Sequence, residues 1–162
     1  MSQRSQSIMF FLSALLFALL FFIPLAEYFG ELNILRFNVF GIESLMPDGV
    51  IPFGKMFALP VLILTVTAVL LGAYLSISLM KAVKIAQFQK LHRIACIDIV
   101  VVVAWIAVVY AYYIRAVGKP ILAQPSFRVG AFLPLVALLL VMLGAGSLKK
   151  DIKKVRSMDR IR

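Results

Sequence analysis

Ionisable residues are scarce in the apolar parts of this chain, and Asp98 is the exception. It is the only charged residue in the apolar segment 94–114. A carboxylate inside a membrane segment is costly and commonly marks an ion or proton relay, or contact with a partner. Asp98 also lies near the beginning of the segment, where the helix dipole and Lys90 or Arg93 would neutralise it. This simpler interpretation is favoured, and Asp98 is kept as the candidate intramembrane polar site.

The residues that most often carry metal or nucleophilic chemistry are represented by one histidine and one cysteine, His92 and Cys96. Their i, i+4 spacing places them on one face of a helix. Two ligands do not complete a zinc site, which needs three or four. No GxSxG, HExxH or phosphate-binding glycine loop is present in the sequence. We therefore predict no catalytic residues, no metal site and no cofactor.

The C-terminal segment 149–162 is strongly basic, and its apolar positions recur every three to four residues. A cationic amphipathic helix of this kind binds anionic phospholipids. A simpler explanation of the excess of lysine and arginine is that it holds this end of the chain in the cytoplasm. Asp151 and Asp159 interrupt the cations, which favours a protein partner; ribosomal RNA near the membrane is a further hypothesis, and other nucleic acid is disfavoured. The candidate partner or lipid contacts are Lys149, Lys150, Lys153, Lys154, Arg156, Asp159, Arg160 and Arg162.

Four long apolar segments must position these residues. The chain is 63% hydrophobic and 15% charged, against about 45–50% and about 25% in soluble domains. This composition excludes a disordered chain, and one cysteine excludes a disulfide scaffold. About 20 apolar residues cross a bilayer as a helix. The first segment is too long for a signal peptide and lacks a cleavage site, so it is predicted to be a retained span. The predicted spans are 7–26, 56–80, 94–114 and 129–148.

The cations predict the orientation of these spans. With four crossings, 12 lysines and arginines flank one side and 5 flank the other. Because cytoplasmic flanks carry the excess of positive charge, both termini are predicted to be cytoplasmic. The net charge of +10 is thereby explained by cations that lie at the membrane surface. Tyr110, Tyr112 and Tyr113 lie at the outer end of the third span, where aromatic belts occur.

The longest predicted outer loop is 27–55. Residues 31–43 have the pattern of a short strand that Gly41 interrupts, and Pro47-Asp48-Gly49 is a turn signal before a second extended piece. The fold prediction is therefore all-α: one domain, 1–162, formed by a four-helix transmembrane bundle. A small extracytoplasmic β-hairpin is expected between helices 1 and 2.

Four stretches resemble a known family: SQRSQS, IPLAEYF, GAFLPLVALLL and the terminal KKDIKKVRSMDRIR. They are similar to an uncharacterised family of four-span inner-membrane proteins common in Bacteroidetes, defined as a domain of unknown function with a VRSxDRxR-like tail. Ile152 departs from the family pattern, which has an acid there. The resemblance implies a bacterial inner-membrane location and the four-span topology, and it carries no activity.

We expect a non-enzymatic accessory or scaffold subunit of a larger inner-membrane complex, such as protein export or insertion machinery. Its expected partners are anionic phospholipids and other inner-membrane proteins. The alternative is a small transporter or channel subunit that uses Asp98 and the hydroxyls Thr65, Thr67, Ser76 and Ser78. A membrane enzyme acting on lipid through His92, Arg93 and Asp98 is the least favoured hypothesis.

Overall fold

The computed structural model describes residues 3–30, 34–47, 49–54 and 56–159. It is mostly helical, with a small sheet. A π-helix, Val108–Tyr113, joins the third and fourth α-helices, and a 3₁₀ turn, Lys119–Ile121, follows the fourth. The α-helices are α1 Gln3–Leu19, α2 Leu59–Lys81, α3 Ile85–Ala107, α4 Ile114–Gly118 and α5 Val129–Asp159.

Three helical stretches are long and apolar enough to cross a membrane: Leu59–Lys81, Ile85–Gly118 and Val129–Val155. They indicate a multi-pass membrane protein. Each includes most of one predicted span, and two extend well beyond it, because polar residues at the helix ends continue the backbone hydrogen bonding past the apolar stretch. Helices α1 and α3 each pack against both α2 and α5.

The predicted first span, 7–26, is wrong at its C-terminal end. Helix α1 has 17 residues, which is about 25 Å, and the chain leaves it through a turn. Pro24 explains the change, because the residue before a proline disfavours the helical conformation and proline itself has no N–H to donate. The apolar residues after the turn enter a strand instead.

The all-α prediction is corrected by a small antiparallel sheet. Its strands are β1 Ala26–Phe29, β2 Ile34–Asn38, β3 Gly41–Ser44 and β4 Pro125–Phe127, in the order β3-β2-β1-β4. A hairpin, β2–β3, does lie between α1 and α2, but its turn was predicted wrongly, since the two strands meet at Val39-Phe40 and residues 50–53 form no strand. Part of the predicted turn, Asp48, lies outside the described residues. The fourth strand comes from the second predicted outer loop.

Side-chain contacts fix which helix ends lie together. The Gln3 Nε2 donates to the Ala82 carbonyl at 3.3 Å, and the Gln6 Nε2 donates to Asp151 Oδ2 at 2.5 Å. The beginning of α1, the end of α2 and the C-terminal part of α5 therefore share one end of the molecule. We call this the basic end, because Arg4, Lys81 and the tail lie there, and we call the opposite end the sheet end.

The extended segment after α1 is packed tightly against the start of α5. A Cβ atom on Gly130 would lie 2.5 Å from the Pro24 carbonyl oxygen and 3.0 Å from its carbon. Both are backbone atoms, which cannot rotate away. At Gly146, in contrast, a Cβ would meet nothing within 4 Å.

We predict that Gly130→Ala lowers the free energy of unfolding by about 1–3 kcal/mol, because the backbone must shift. The matched substitution Gly146→Ala should be neutral or stabilising by up to about 1 kcal/mol, from helix propensity. Thermal unfolding in detergent, followed by the fluorescence of the single buried Trp105, measures both. Equal stability of the two variants would contradict the close approach.

Candidate functional site

Asp98 lies in the middle of α3, as its fourteenth residue, because that helix begins at Ile85. The interpretation as a first-turn carboxylate that faces the helix dipole is therefore wrong. Residues 85–93, which the apolar-segment boundary left out because most of 87–93 are polar, belong to the same helix. Asp98 is 1% exposed, which is rare for a carboxylate.

A hydrogen-bonded layer toward the sheet end sets the level of Asp98. The Trp105 indole Nε1 donates to Thr65 Oγ1 at 2.8 Å, and the Phe17 ring meets the Trp105 ring edge-on at 5.8 Å. One helical repeat of seven residues toward the basic end leads from Trp105 to Asp98 and from Phe17 to Phe10. Seven residues are about two turns, or about 10 Å, so Asp98 and Phe10 belong to the next layer.

This second layer consists of an aromatic ring and small residues. A Cβ atom on Gly144 would lie 2.9 Å from the Phe10 ring, and one on Gly72 would lie 3.3 Å from the Phe10 carbonyl oxygen. Phe10 is fully buried. Gly72 on α2 and Gly144 on α5 therefore let both helices approach α1 closely at Phe10, at the level that Asp98 occupies.

Neither carboxylate oxygen of Asp98 has a hydrogen-bond partner within the described part of the chain. The expected neutralisation by Lys90 or Arg93 is thus not made there. An unsatisfied buried polar group costs about 1–3 kcal/mol. Among the described residues no three His, Cys, Asp or Glu side chains come together. Chemically, the Asp98 carboxyl can hold a proton or accept a hydrogen bond.

Buried polar contacts continue from this layer to the basic end. The Ser7 hydroxyl donates to the Ser76 carbonyl at 2.8 Å, and the two hydroxyl oxygens are 3.0 Å apart. Gln6 is fully buried beside them. The sequence analysis missed Gln6 and Ser7, although the SQS run directly before the apolar segment is a usable signal. Of the other hydroxyls singled out, Thr67 donates to the Ile63 carbonyl in its own helix.

A second cluster of charges lies at the centre of the sheet. The Arg36 Nε and Nη2 atoms are 3.1 and 3.0 Å from Glu27 Oε1, and Arg128 Nε donates to Oε2 at 2.9 Å. A second Arg128 nitrogen, Nη2, also contacts Oε2. The Glu27 side chain is only 5% exposed. The Arg128 hydrogen bond, opposed by burial and reinforced by Arg36, holds the pKa of the Glu27 carboxyl below its usual value.

The neighbouring Tyr28 joins the sheet to the helices. Its hydroxyl donates to the Ile114 carbonyl at 2.9 Å, and burial raises the pKa of this hydroxyl. Because successive strand residues point to opposite faces, Glu27 meets the arginines on one face while Tyr28 enters the core on the other. The sheet is thereby fixed relative to α4.

The sheet end also carries an apolar cleft of about 440 Å³ beside the edge strand β3. Its lining includes four large apolar side chains and one carboxylate, which are Phe40, Ile51, Phe53, Phe57 and Glu43. Phe40 is 61% exposed. Large exposed apolar side chains next to an unpaired strand edge are typical of interaction surfaces.

The basic tail continues α5 without a break as far as Asp159. Leu148 is buried and Ile152 is half-buried, whereas Lys149, Lys150, Lys153 and Lys154 are exposed. The side chains of Arg156 and Asp159, and the whole of Arg160 and Arg162, lie outside the described residues. His92 and Cys96 do face each other, with Nε2 and Sγ 4.0 Å apart.

Comparison with protein families gives a match over residues 2–161. The chain belongs to DUF4293, a domain of unknown function. Membership confirms the predicted resemblance to an uncharacterised family. The expected four spans, tail motif and Bacteroidetes source stay predictions. No curated protein matches this DUF4293 chain.

For this DUF4293 protein the Glu27 cluster gives a pH prediction. Because its folded pKa is lowered, Glu27 stabilises the fold fully above the usual value of about 4.3 and loses this contribution as the pH falls below it. Glu27→Gln should cost about 1.5–3 kcal/mol at neutral pH and flatten the acid dependence.

Thermal unfolding in detergent at neutral pH and at about pH 3 would measure this linkage. Glu43→Gln is the matched control, because Glu43 faces the same Arg36 in the strand register but is exposed. If both variants keep the wild-type acid dependence, the cluster does not stabilise the sheet.

Proposed function

We propose that this protein is a non-enzymatic, four-span subunit of the bacterial inner membrane with both termini in the cytoplasm. Its proposed role is that of an accessory or scaffold protein in a larger membrane complex. Two observations support the topology. The basic end combines the beginning of α1 with the C-terminal part of α5 through Gln6 and Asp151. The cations at that end also outnumber those at the sheet end, as cytoplasmic flanks require.

In this proposal α1 is the first span, although it is short. Its 17 residues and the apolar turn of Leu20, Phe21 and Phe22 cover much of the hydrocarbon thickness. Exposed Phe11 and Leu15 on α1 suit a lipid-facing side. A short span is accommodated by local thinning of the bilayer at a modest cost.

The observation that carries the scaffold role is the apolar cleft beside β3. Phe40 lies at the turn between β2 and β3, in a sheet that the Glu27 cluster and Tyr28 anchor, whereas Phe53 and Phe57 come from the segment before α2. A rigid apolar recess at the membrane surface binds a partner without a large ordering cost. The partner in this proposal is an extracytoplasmic segment of another inner-membrane protein, with protein export or insertion machinery as a candidate host.

Site-specific photocrosslinking in native membranes tests this assignment. A photoreactive amino acid in place of Phe40 is expected to give a discrete protein adduct. The same residue in place of Leu139, which is exposed on α5 in the membrane stretch, should give lipid adducts. Adding Ile51→Glu should reduce the Phe40 adduct at least about tenfold, because a charge enters the apolar cleft. A Phe40 adduct pattern identical to that of Leu139 would exclude the cleft as the partner site.

One observation favours a second candidate function, a small transporter or channel subunit. Asp98 is buried at the level of Phe10, its oxygens have no partner in the described residues, and Ser7 and Ser76 lie between it and the basic end. A buried acid with polar groups on one side is the minimum for a proton or ion path.

Flux across liposomes distinguishes this candidate. If Asp98 carries the transported proton or ion, Asp98→Asn should reduce flux to the level of protein-free vesicles. Thr67→Val is the control, because the Thr67 hydroxyl donates within its own helix and should not alter flux. If the Asp98→Asn variant has the same flux as the wild type, the proposed transport function is excluded.

A further inference from the structure

A groove of about 450 Å³ opens between α1 and α5 at the basic end. It lies on the flank of the molecule rather than in the packed layers around Phe10. Its lining changes from apolar to cationic along α5, and this change indicates what kind of molecule fits it.

The deeper half of the groove is apolar. Met9 from α1 and Met142 and Leu143 from α5 line it. Met142 and Leu143 are 53% and 59% exposed, so they are covered by neither helix. Gly146 keeps the groove open between the two halves, because a Cβ atom there would meet nothing within 4 Å.

The other half of the groove is polar and carries Lys150 and Lys154 one turn apart on the same side of α5. They follow Leu143 by seven and eleven residues, which is about 10–16 Å along the helix axis. Along the axis of α5, the apolar residues of the groove are therefore followed by its lysines. A phospholipid has the same order, with its acyl chains in the membrane and its phosphate at the surface.

Asp151 also lines the polar half, and its charge affects what binds there. Its Oδ2 accepts a hydrogen bond from the buried Gln6 at 2.5 Å, which fixes the carboxylate against α1. Two lysines and one aspartate leave the lining with one net positive charge. A single phosphodiester carries the complementary charge.

We infer that this groove binds one anionic phospholipid of the cytoplasmic leaflet. One acyl chain lies along Met9, Met142 and Leu143, and the phosphate lies between Lys150 and Lys154. The leaflet rests on the orientation in the proposed function, whereas the site itself does not. Such a fixed site differs from general attraction of a basic tail to the membrane surface, because only the cations that line the groove take part.

The chain offers a matched control for the cations. Lys149 and Lys153 each precede a groove lysine by one residue, are also exposed, and are not among the residues that line the groove. The pairs Lys150→Ala/Lys154→Ala and Lys149→Ala/Lys153→Ala therefore remove the same charge from the same segment of helix on different faces.

Native mass spectrometry of the full-length protein in mild detergent, titrated with phosphatidylglycerol, tests the site. The wild type is expected to retain one phosphatidylglycerol and to bind phosphatidylethanolamine more weakly. Lys150→Ala/Lys154→Ala should weaken phosphatidylglycerol binding about 30-fold, the size expected for two cations near an anionic surface. The Lys149→Ala/Lys153→Ala control should stay within about threefold of wild type, well short of that loss.

Gly146→Leu gives a second test that leaves every charge in place. It fills the groove and should abolish retention of the lipid while Trp105 fluorescence still reports a folded protein. Retention by Gly146→Leu, or equal loss in the two lysine pairs, would overturn the inference in favour of general tail attraction. Displacement by water-soluble glycerol phosphate at the same concentration would overturn the acyl-chain part. The groove shares no lining residue with the cleft at Phe40, so these variants should leave photocrosslinking at Phe40 unchanged, and the scaffold proposal is tested separately.

Discussion

The extended segment after α1 is the constraint on which the sheet end depends. Proline at position 24 prevents the helix from continuing, and the next residue is then bound from two directions. The Leu25 N–H donates to the Phe37 carbonyl at 2.9 Å, and its own carbonyl accepts from the Arg128 N–H at 3.1 Å. Because Gly130 packs directly on the Pro24 carbonyl, the same segment positions β2, β4 and the start of α5. A longer first helix would remove all of these contacts together.

The two layers between the helices differ in whether their buried polar groups are hydrogen-bonded. Near the sheet end the Trp105–Thr65 hydrogen bond satisfies a polar atom inside the core. Two turns toward the basic end, glycines replace polar partners around Phe10, and Asp98 is left without a hydrogen bond in the described residues. No hydrogen bond in the described residues therefore offsets the cost of burying the Asp98 carboxyl, and this is why a functional role for Asp98 is worth testing.

Apolar length predicted α2, α3 and α5, because a helix in lipid needs little beyond about 20 apolar residues. It could not predict where α1 ends, since Phe21, Phe22 and Leu25 are as apolar as the helix before them. The sheet was predicted only as a hairpin, because β1 begins within the predicted first span and β4 has only three residues, which pair with β1 from about 100 positions away. Asp98 was found because a single charged residue in an apolar run can be recognised from the sequence alone. Glu27 was not, since its partner Arg128 is 101 residues away.

The two ends of the molecule present different surfaces. At the sheet end Glu27 is shared by two arginines in a buried contact, which leaves one net positive charge in that cluster, and Phe40 exposes its ring beside β3. At the basic end four lysines of the tail are exposed, and Asp151 already accepts a hydrogen bond from Gln6. In the proposed orientation, anionic phospholipids would balance the positive charge of these lysines. The two proposals therefore assign an apolar protein partner to the cleft at the sheet end and a phosphate group to the groove at the basic end.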